Sequence, residues 1–138
     1  MELIGFAVLA YATRVTRVTK VSKGGTRSAT KGGAGRAAQY SSEWGNASLK
    51  KTINRFAPGS KGVKTSTGKT VYKNSETGIQ VVVDDAGNYF RIENTNLTGK
   101  RKYLDLDGNI PNNKVVNGKT SGRTQGEYNQ ATHFNIID

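Results

Sequence analysis

The chain has a single histidine, His133, directly after Thr132 in the tail GRTQGEYNQATHFNIID. Imidazole is the only side chain whose unperturbed pKa lies near neutrality, so His133 is the group best suited to take up and return a proton at pH 7. Ten positions earlier stands Arg123. Its long basic side chain, like that of Lys119, can approach an anion closely from a Gly-flanked loop. The stretch NGKTSGRTQGEYNQ adds hydroxyl and amide side chains and Tyr128, and its glycines let backbone amides approach an anion closely. The competing reading of the same residues is an exposed polar loop beside a packed histidine with no task.

These groups need a scaffold, and alternation supplies one. Phe134 and Ile136 predict a last strand over ATHFNIID, both facing a core. His133 and Asn135 then project from the opposite face, and Thr132 falls on the core side unless a bulge turns it outward. TGIQVVVDDAGNYFRIEN predicts a hairpin turning at DDAGN, with Ile79, Val81, Val83, Phe90 and Ile92 inward and Tyr89 and Arg91 outward. KTVYK and RKYLDLDGNIP read as further strands, the second with Leu104 and Leu106 inward and Tyr103 outward. KVVNGKT adds a short strand or a turn. One sheet face thereby carries His133, Asn135, Arg91, Tyr89 and Tyr103: cations for phosphate, rings for stacking and one imidazole. Ahead of the strands, Leu49, Ile53 and Phe56 have helical spacing. Ser42 or Ser48 can cap that helix, Pro58 stops it, and Trp44 packs near its start.

Composition sets bounds on the chemistry. With no cysteine and one histidine, disulfides and thiolate metal sites are excluded and a zinc site is disfavoured. Asp105, Asp107 and Asn109 match the start of a calcium loop, but no glutamate stands at the twelfth position, so a tight turn is expected there. The 138 residues carry 21 Lys and Arg against 10 Asp and Glu, a net charge of +11 that favours a polyanionic partner. Residues 1–58 hold 10 basic and 2 acidic residues, so most of the excess lies in the amino-terminal part, where a solubilising basic arm accounts for much of it. The run MELIGFAVLAYA is too short to span a bilayer and lacks a basic flank and a cleavage site, so it reads as the remnant of a hydrophobic segment cut from a longer chain. Residues 22–37, rich in Gly and basic side chains, read as a flexible linker. The expected organisation is a remnant and linker over residues 1–40 and a compact domain over residues 41–138. The expected fold is α+β, with an amino-terminal helix or helices on a twisted antiparallel sheet of four to five strands.

The runs GKTVYKNSETGIQVVVDDAGNYFRIEN, GKRKYLDLDGNIP and GRTQGEYNQATHFNIID resemble carboxyl-terminal toxin domains of bacterial polymorphic toxins, including contact-dependent inhibition effectors. The likeness is one of overall pattern and covers about residues 41–138. A helix followed by an antiparallel sheet is similar to the barnase, EndoU, colicin and RelE-like ribonuclease fold. The resemblance implies a toxin domain that cleaves RNA, with tRNA the favoured substrate, without metal or cofactor. The RNA 2′-hydroxyl would attack the adjacent phosphate to give a 2′,3′-cyclic phosphate, with His133, Arg123 and Thr132 as the catalytic set. Lys119, Arg91, Tyr89, Tyr103, Tyr128 and Asn135 would bind the substrate. The second acid or base stays open among Glu127, Tyr128 and a lysine. The resemblance further implies an acidic cognate immunity protein, delivery as part of a larger secreted or cell-surface toxin, and action in the target-cell cytoplasm without stable membrane insertion. A non-enzymatic nucleic-acid-binding module, and a toxin of other chemistry such as DNA cleavage, are the competing expectations.

Overall fold

A computed structural model describes residues 32–138. The apolar run and the part of the expected linker before residue 32 lie outside the described residues. The elements, in order, are α1 (Gly32–Tyr40), a 3₁₀ turn (Ser41–Glu43), β1 (Gly45–Ala47), α2 (Leu49–Phe56), β2 (Val63–Lys64), β3 (Lys69–Lys73), β4 (Ile79–Asp84), β5 (Tyr89–Asn94), β6 (Tyr103–Leu104), β7 (Asn113–Val116), β8 (Lys119–Gly122), α3 (Gln125–Thr132) and β9 (Phe134–Ile136). The fold is α+β. Its main sheet has seven strands rather than four to five, in the order β1-β9-β5-β4-β3-β2 with β6 also on β5, and it is mixed, because β1 runs parallel to β9.

Alternation places the core as the sequence suggests. Val81, Val83, Phe90, Ile92, Leu104 and Phe134 lie on one face of the sheet and are covered by α2 through Phe56, with Leu49 and Ile53 beside it. Val81 and Val83 pair across the hairpin with Ile92 and Phe90. Ser48 caps α2 by accepting from the Lys51 amide at 3.1 Å. The Asp138 carboxylate reinforces that cap, accepting from the amides of Leu49 at 2.8 Å and Lys50 at 3.4 Å. Leu106 departs from the inward placement: β6 ends at Leu104, and Leu106 is exposed. The turn that follows is tight, as expected. The Asp105 side chain accepts from the amides of Asp107 and Asn109, closing an Asx-type turn around Gly108.

Two stretches differ from the sequence reading. Residues 32–37, expected as linker, form the start of α1. The helix holds because Gly33 has no Cβ: a Cβ there would run into the Asp84 carboxylate, and one on Gly87 would lie 2.6 Å from the Gly33 carbonyl oxygen. The two glycines let the first turn of α1 sit directly on the β4–β5 turn. The expected last strand over residues 131–138 is likewise split, with α3 running to Thr132 and only Phe134–Ile136 in β9. A capping box starts α3: the Thr124 hydroxyl accepts from the Glu127 amide, and the Glu127 carboxylate accepts from the Thr124 amide. Ahead of it, β7 and β8 form a separate hairpin that turns at Asn117 and Gly118, both with positive φ as a two-residue turn of this kind requires.

On β5, one edge pairs with β4 along its whole length, and the other is shared end to end. Tyr89 and Phe90 pair with β9, and Ile92 and Glu93 pair with β6. Arg91 therefore stands at the seam between β9 and β6, on the face away from the core.

Candidate active site

The seam positions the chemistry. His133 is the residue that leaves α3 and enters β9, and it is only 2% exposed. Its Nδ1 lies 2.6 Å from the Asn129 carbonyl oxygen in the last turn of α3. A carbonyl only accepts, so Nδ1 carries the hydrogen and Nε2 carries the lone pair. The imidazole thus caps the carboxyl end of the helix. Nε2 is buried and has no hydrogen-bond partner among the described residues. Trp44 stacks on the ring at 4.6 Å between centroids and 18° between planes, and Tyr89 meets it at 5.3 Å.

A helix carboxyl terminus favours a cation by up to about 2 kcal/mol. Burial outweighs that here. Desolvation, followed by the nearby Arg91 charge, pushes the His133 pKa down to about 4 against the opposing bond to Asn129. At pH 7 the side chain is a neutral base. Arg91 donates from Nη2 to the Thr132 hydroxyl at 3.0 Å and lies 3.4 Å over the Tyr103 ring centre. Its Nε is buried without a partner among the described residues. Burial lowers the Arg91 pKa, with the Tyr103 and Tyr128 phenols opposing. Burial raises the Tyr89 phenol, Asp84 adds to the rise, and Arg36 opposes it.

These groups line a cavity of about 380 Å³. Arg36 and Tyr40 come from α1, Glu43 and Trp44 from the 3₁₀ turn and the residue after it, Arg91 from β5, and Gly126, Asn129, Gln130 and His133 from α3 and its end. Glu43 accepts from the Gln130 amide at 2.9 Å. Two guanidiniums and one carboxylate thus line a single recess beside a neutral imidazole: the cations suit a phosphodiester, and the imidazole can take a proton once its covered Nε2 is reached.

Of the residues singled out by sequence, His133, Thr132, Arg91, Tyr89 and Tyr103 converge. They do so in a largely buried cluster beneath Trp44 rather than on an open face. Thr132 is fully buried and uses its hydroxyl on the Tyr128 carbonyl and on Arg91. Tyr128 is also fully buried, its hydroxyl bound to the Tyr103 backbone at 2.7 Å from N and 3.1 Å from O. Asn135 ties β9 to the 3₁₀ turn through the Ser41 carbonyl. Arg123 and Lys119 are not brought to the cavity. Arg123 precedes α3 while His133 follows it, and eight helical residues hold the two about 12–15 Å apart. Glu127 is also engaged elsewhere, paired with Lys114 and the Thr124 amide, and its pKa is held down to about 2, chiefly by the Lys114 bond.

Sequence reasoning missed Arg36, Tyr40 and Glu43, and it read Trp44 only as packing. Glu43 immediately before the single tryptophan was the available signal; Arg36 was hidden in a Gly-rich stretch that looks unstructured. Among the described residues no group of three His, Asp or Glu side chains could hold a metal ion, and no helix is long and apolar enough to cross a membrane. Compared with known proteins, the chain matches no family model, no curated protein and no solved structure.

Proposed function

We propose that residues 32–138 form the ribonuclease domain of an antibacterial toxin, cleaving RNA by attack of a 2′-hydroxyl on the neighbouring phosphate, with tRNA the favoured substrate. The observation that carries this reading is the buried, unpartnered Nε2 lone pair of a neutral His133, a residue that lines the same cavity as Arg91 and Arg36. His133 Nε2 takes the 2′-hydroxyl proton as the 2′-oxygen bonds to phosphorus. The bond from phosphorus to the 5′-oxygen breaks, leaving a 2′,3′-cyclic phosphate and a 5′-hydroxyl whose proton is relayed from solvent through Glu43. Arg91 and Arg36 gather the charge on the phosphoryl oxygens, so that the charge stabilisation comes from the chain itself. Glu43 fills the place of the second proton-handling group, which the sequence left open. Thr132 acts through Arg91 as a positioning residue.

As a toxin domain it requires a cognate immunity protein, which the basic charge predicts to be acidic. It also requires delivery as part of a larger secreted or surface protein into a target-cell cytoplasm. One observation favours a second reading, a nucleic-acid-binding module without catalysis: Nε2 is sealed from solvent, so RNA reaches it only if Trp44 or α1 moves.

Incubation of the purified protein with total RNA and with DNA, each with and without EDTA, separates the two. The proteins are wild type, His133→Asn and Glu43→Gln, each first shown to be folded by its thermal melt. Discrete RNA fragments with cyclic-phosphate ends, indifferent to EDTA and lost in His133→Asn, are expected. RNA left intact by folded wild-type protein, but bound, would replace the ribonuclease with the binding module.

A further inference from the structure

Arg123 and Lys119 lie away from the cavity, at opposite ends of β8: Arg123 follows Gly122 at the base of the hairpin, and Lys119 pairs with Val116 beside its turn. Arg101, in the segment between β5 and β6, donates to the Arg123 carbonyl at 2.8 Å and to the Asn112 side chain at 3.2 Å. Arg123 itself donates from Nε to the Asn113 carbonyl at 3.1 Å. The β5–β6 segment, the base of the β7–β8 hairpin and the start of α3 are thereby tied into one ridge. Two of its cations are neutralised, Lys102 by Glu93 and Lys114 by Glu127. Lys100, Arg101, Lys119 and Arg123 have no carboxylate in ion-pair range among the described residues, and Lys100 and Lys119 are exposed.

α3 joins this ridge to the cavity. Eight residues of helix span about 12 Å, and the residues beyond each end bring the reach to about 15 Å. A stacked polynucleotide strand carries one phosphate per about 3.4 Å of its axis, so the base of the ridge, at Arg123, lies roughly four nucleotide steps from His133. We infer that the ridge of Lys100, Arg101, Lys119 and Arg123 is a second polynucleotide-binding surface, which holds the phosphates of the same RNA about four steps away from the bond presented to His133. This rests on the ribonuclease reading of the cavity and adds a length requirement to it: a dinucleotide fills the cavity alone, while an RNA of eight or more nucleotides also engages the ridge.

Binding of fluorescently labelled 2′-O-methyl RNA of 2, 4, 8 and 12 nucleotides tests this. The blocked 2′-oxygen prevents cleavage, so affinity is measured whether or not the protein is an enzyme. The comparison is wild type against Lys100→Glu/Lys119→Glu, two exposed side chains without hydrogen bonds among the described residues, and against Arg123→Gln. Wild-type affinity is expected to step up between 4 and 8 nucleotides, with a salt slope steeper by up to about 2.8, the release of four counterions from a single strand, of which the double variant forfeits about 1.4. The double variant removes the step and weakens the 12-mer about tenfold or more, while its dinucleotide affinity stays at the wild-type value. Equal 12-mer affinity for wild type and variant would overturn the ridge. So would an equal loss on the dinucleotide, or an equal loss for polyglutamate, which would make the surface a docking site for an acidic protein. Cleavage of an unmodified 12-mer is followed in parallel. A length step with no cleavage leaves the ridge standing and removes the ribonuclease reading; cleavage without a length step does the reverse.

Discussion

Acid should loosen this fold through one residue. His133 takes its proton at a pH of about 4 in the folded chain and at about 6.5 when unfolded. Between those values the unfolded chain binds more protons, so a fall in pH favours unfolding. The stability contributed by the neutral, buried imidazole is complete above pH 6.5, declines as pH falls through the window and stops declining below pH 4. A difference of about 2.5 pKa units corresponds to about 3 kcal/mol. That is a substantial part of the 5–15 kcal/mol typical of a domain. Trp44 reports on the event directly, being the only tryptophan of the chain and stacked on the ring that titrates. Urea unfolding followed by Trp44 fluorescence at half-unit steps from pH 7.5 to 4 measures the stability, and the fluorescence without urea gives the folded-state midpoint. In His133→Asn, whose amide can still donate to the Asn129 carbonyl, the part of the pH slope between 6.5 and 4 due to the imidazole should vanish, leaving only the carboxylates. A folded-state midpoint near 6.5, or a stability difference between wild type and variant that does not change with pH, would refute the argument that desolvation governs this imidazole.

Two further outcomes follow from the packing. Gly33→Ala drives a methyl group into the Asp84 carboxylate, which is held by Lys69 at 2.9 Å and by the Gly87 amide at 2.8 Å. It should cost about 1–3 kcal/mol and detach α1, seen as faster amide exchange over Gly32–Tyr40 with the β3–β5 strands unchanged. Asp138→Ala removes the acceptor for two amides at the start of α2 and should cost about 1 kcal/mol in urea unfolding, less in high salt.

The central strands were legible because each turns one face to the core. Val81, Val83, Phe90, Ile92 and Phe134 show the period of two that a half-buried strand imposes, and their placement in the core follows from it. The helix over Leu49–Phe56 was legible from its caps and spacing. The short parallel strand β1 was not, since GNA carries no periodicity and is held by its neighbours. The helix at the tail was hidden behind Phe134 and Ile136, whose alternation extended a strand backwards over residues that the Thr124–Glu127 capping box claims for α3. That misreading had a chemical consequence. A loop would have let Arg123 swing to His133, whereas a helix keeps them apart and leaves Arg91, which sequence had placed on the same face, as the guanidinium whose charge acts on the imidazole. Arg36 and Glu43 became visible only when α1 and the 3₁₀ turn were seen to close over the sheet.

The pairing of β1 with β9 joins residues 89 positions apart, whereas β4 and β5 meet across the four residues 85–88. Closing the longer loop costs about 3 kcal/mol more in chain entropy. The β3–β5 meander can assemble from near neighbours, but the contact that brings Trp44 and Glu43 to His133 is among the most remote in the chain. Its sequence separation predicts that it forms after the meander and opens before it, which amide exchange of β1 against β4 would show. The recess around His133 therefore exists only in the fully closed sheet, and a chain that has lost just its β1–β9 edge keeps most of its core while carrying no site.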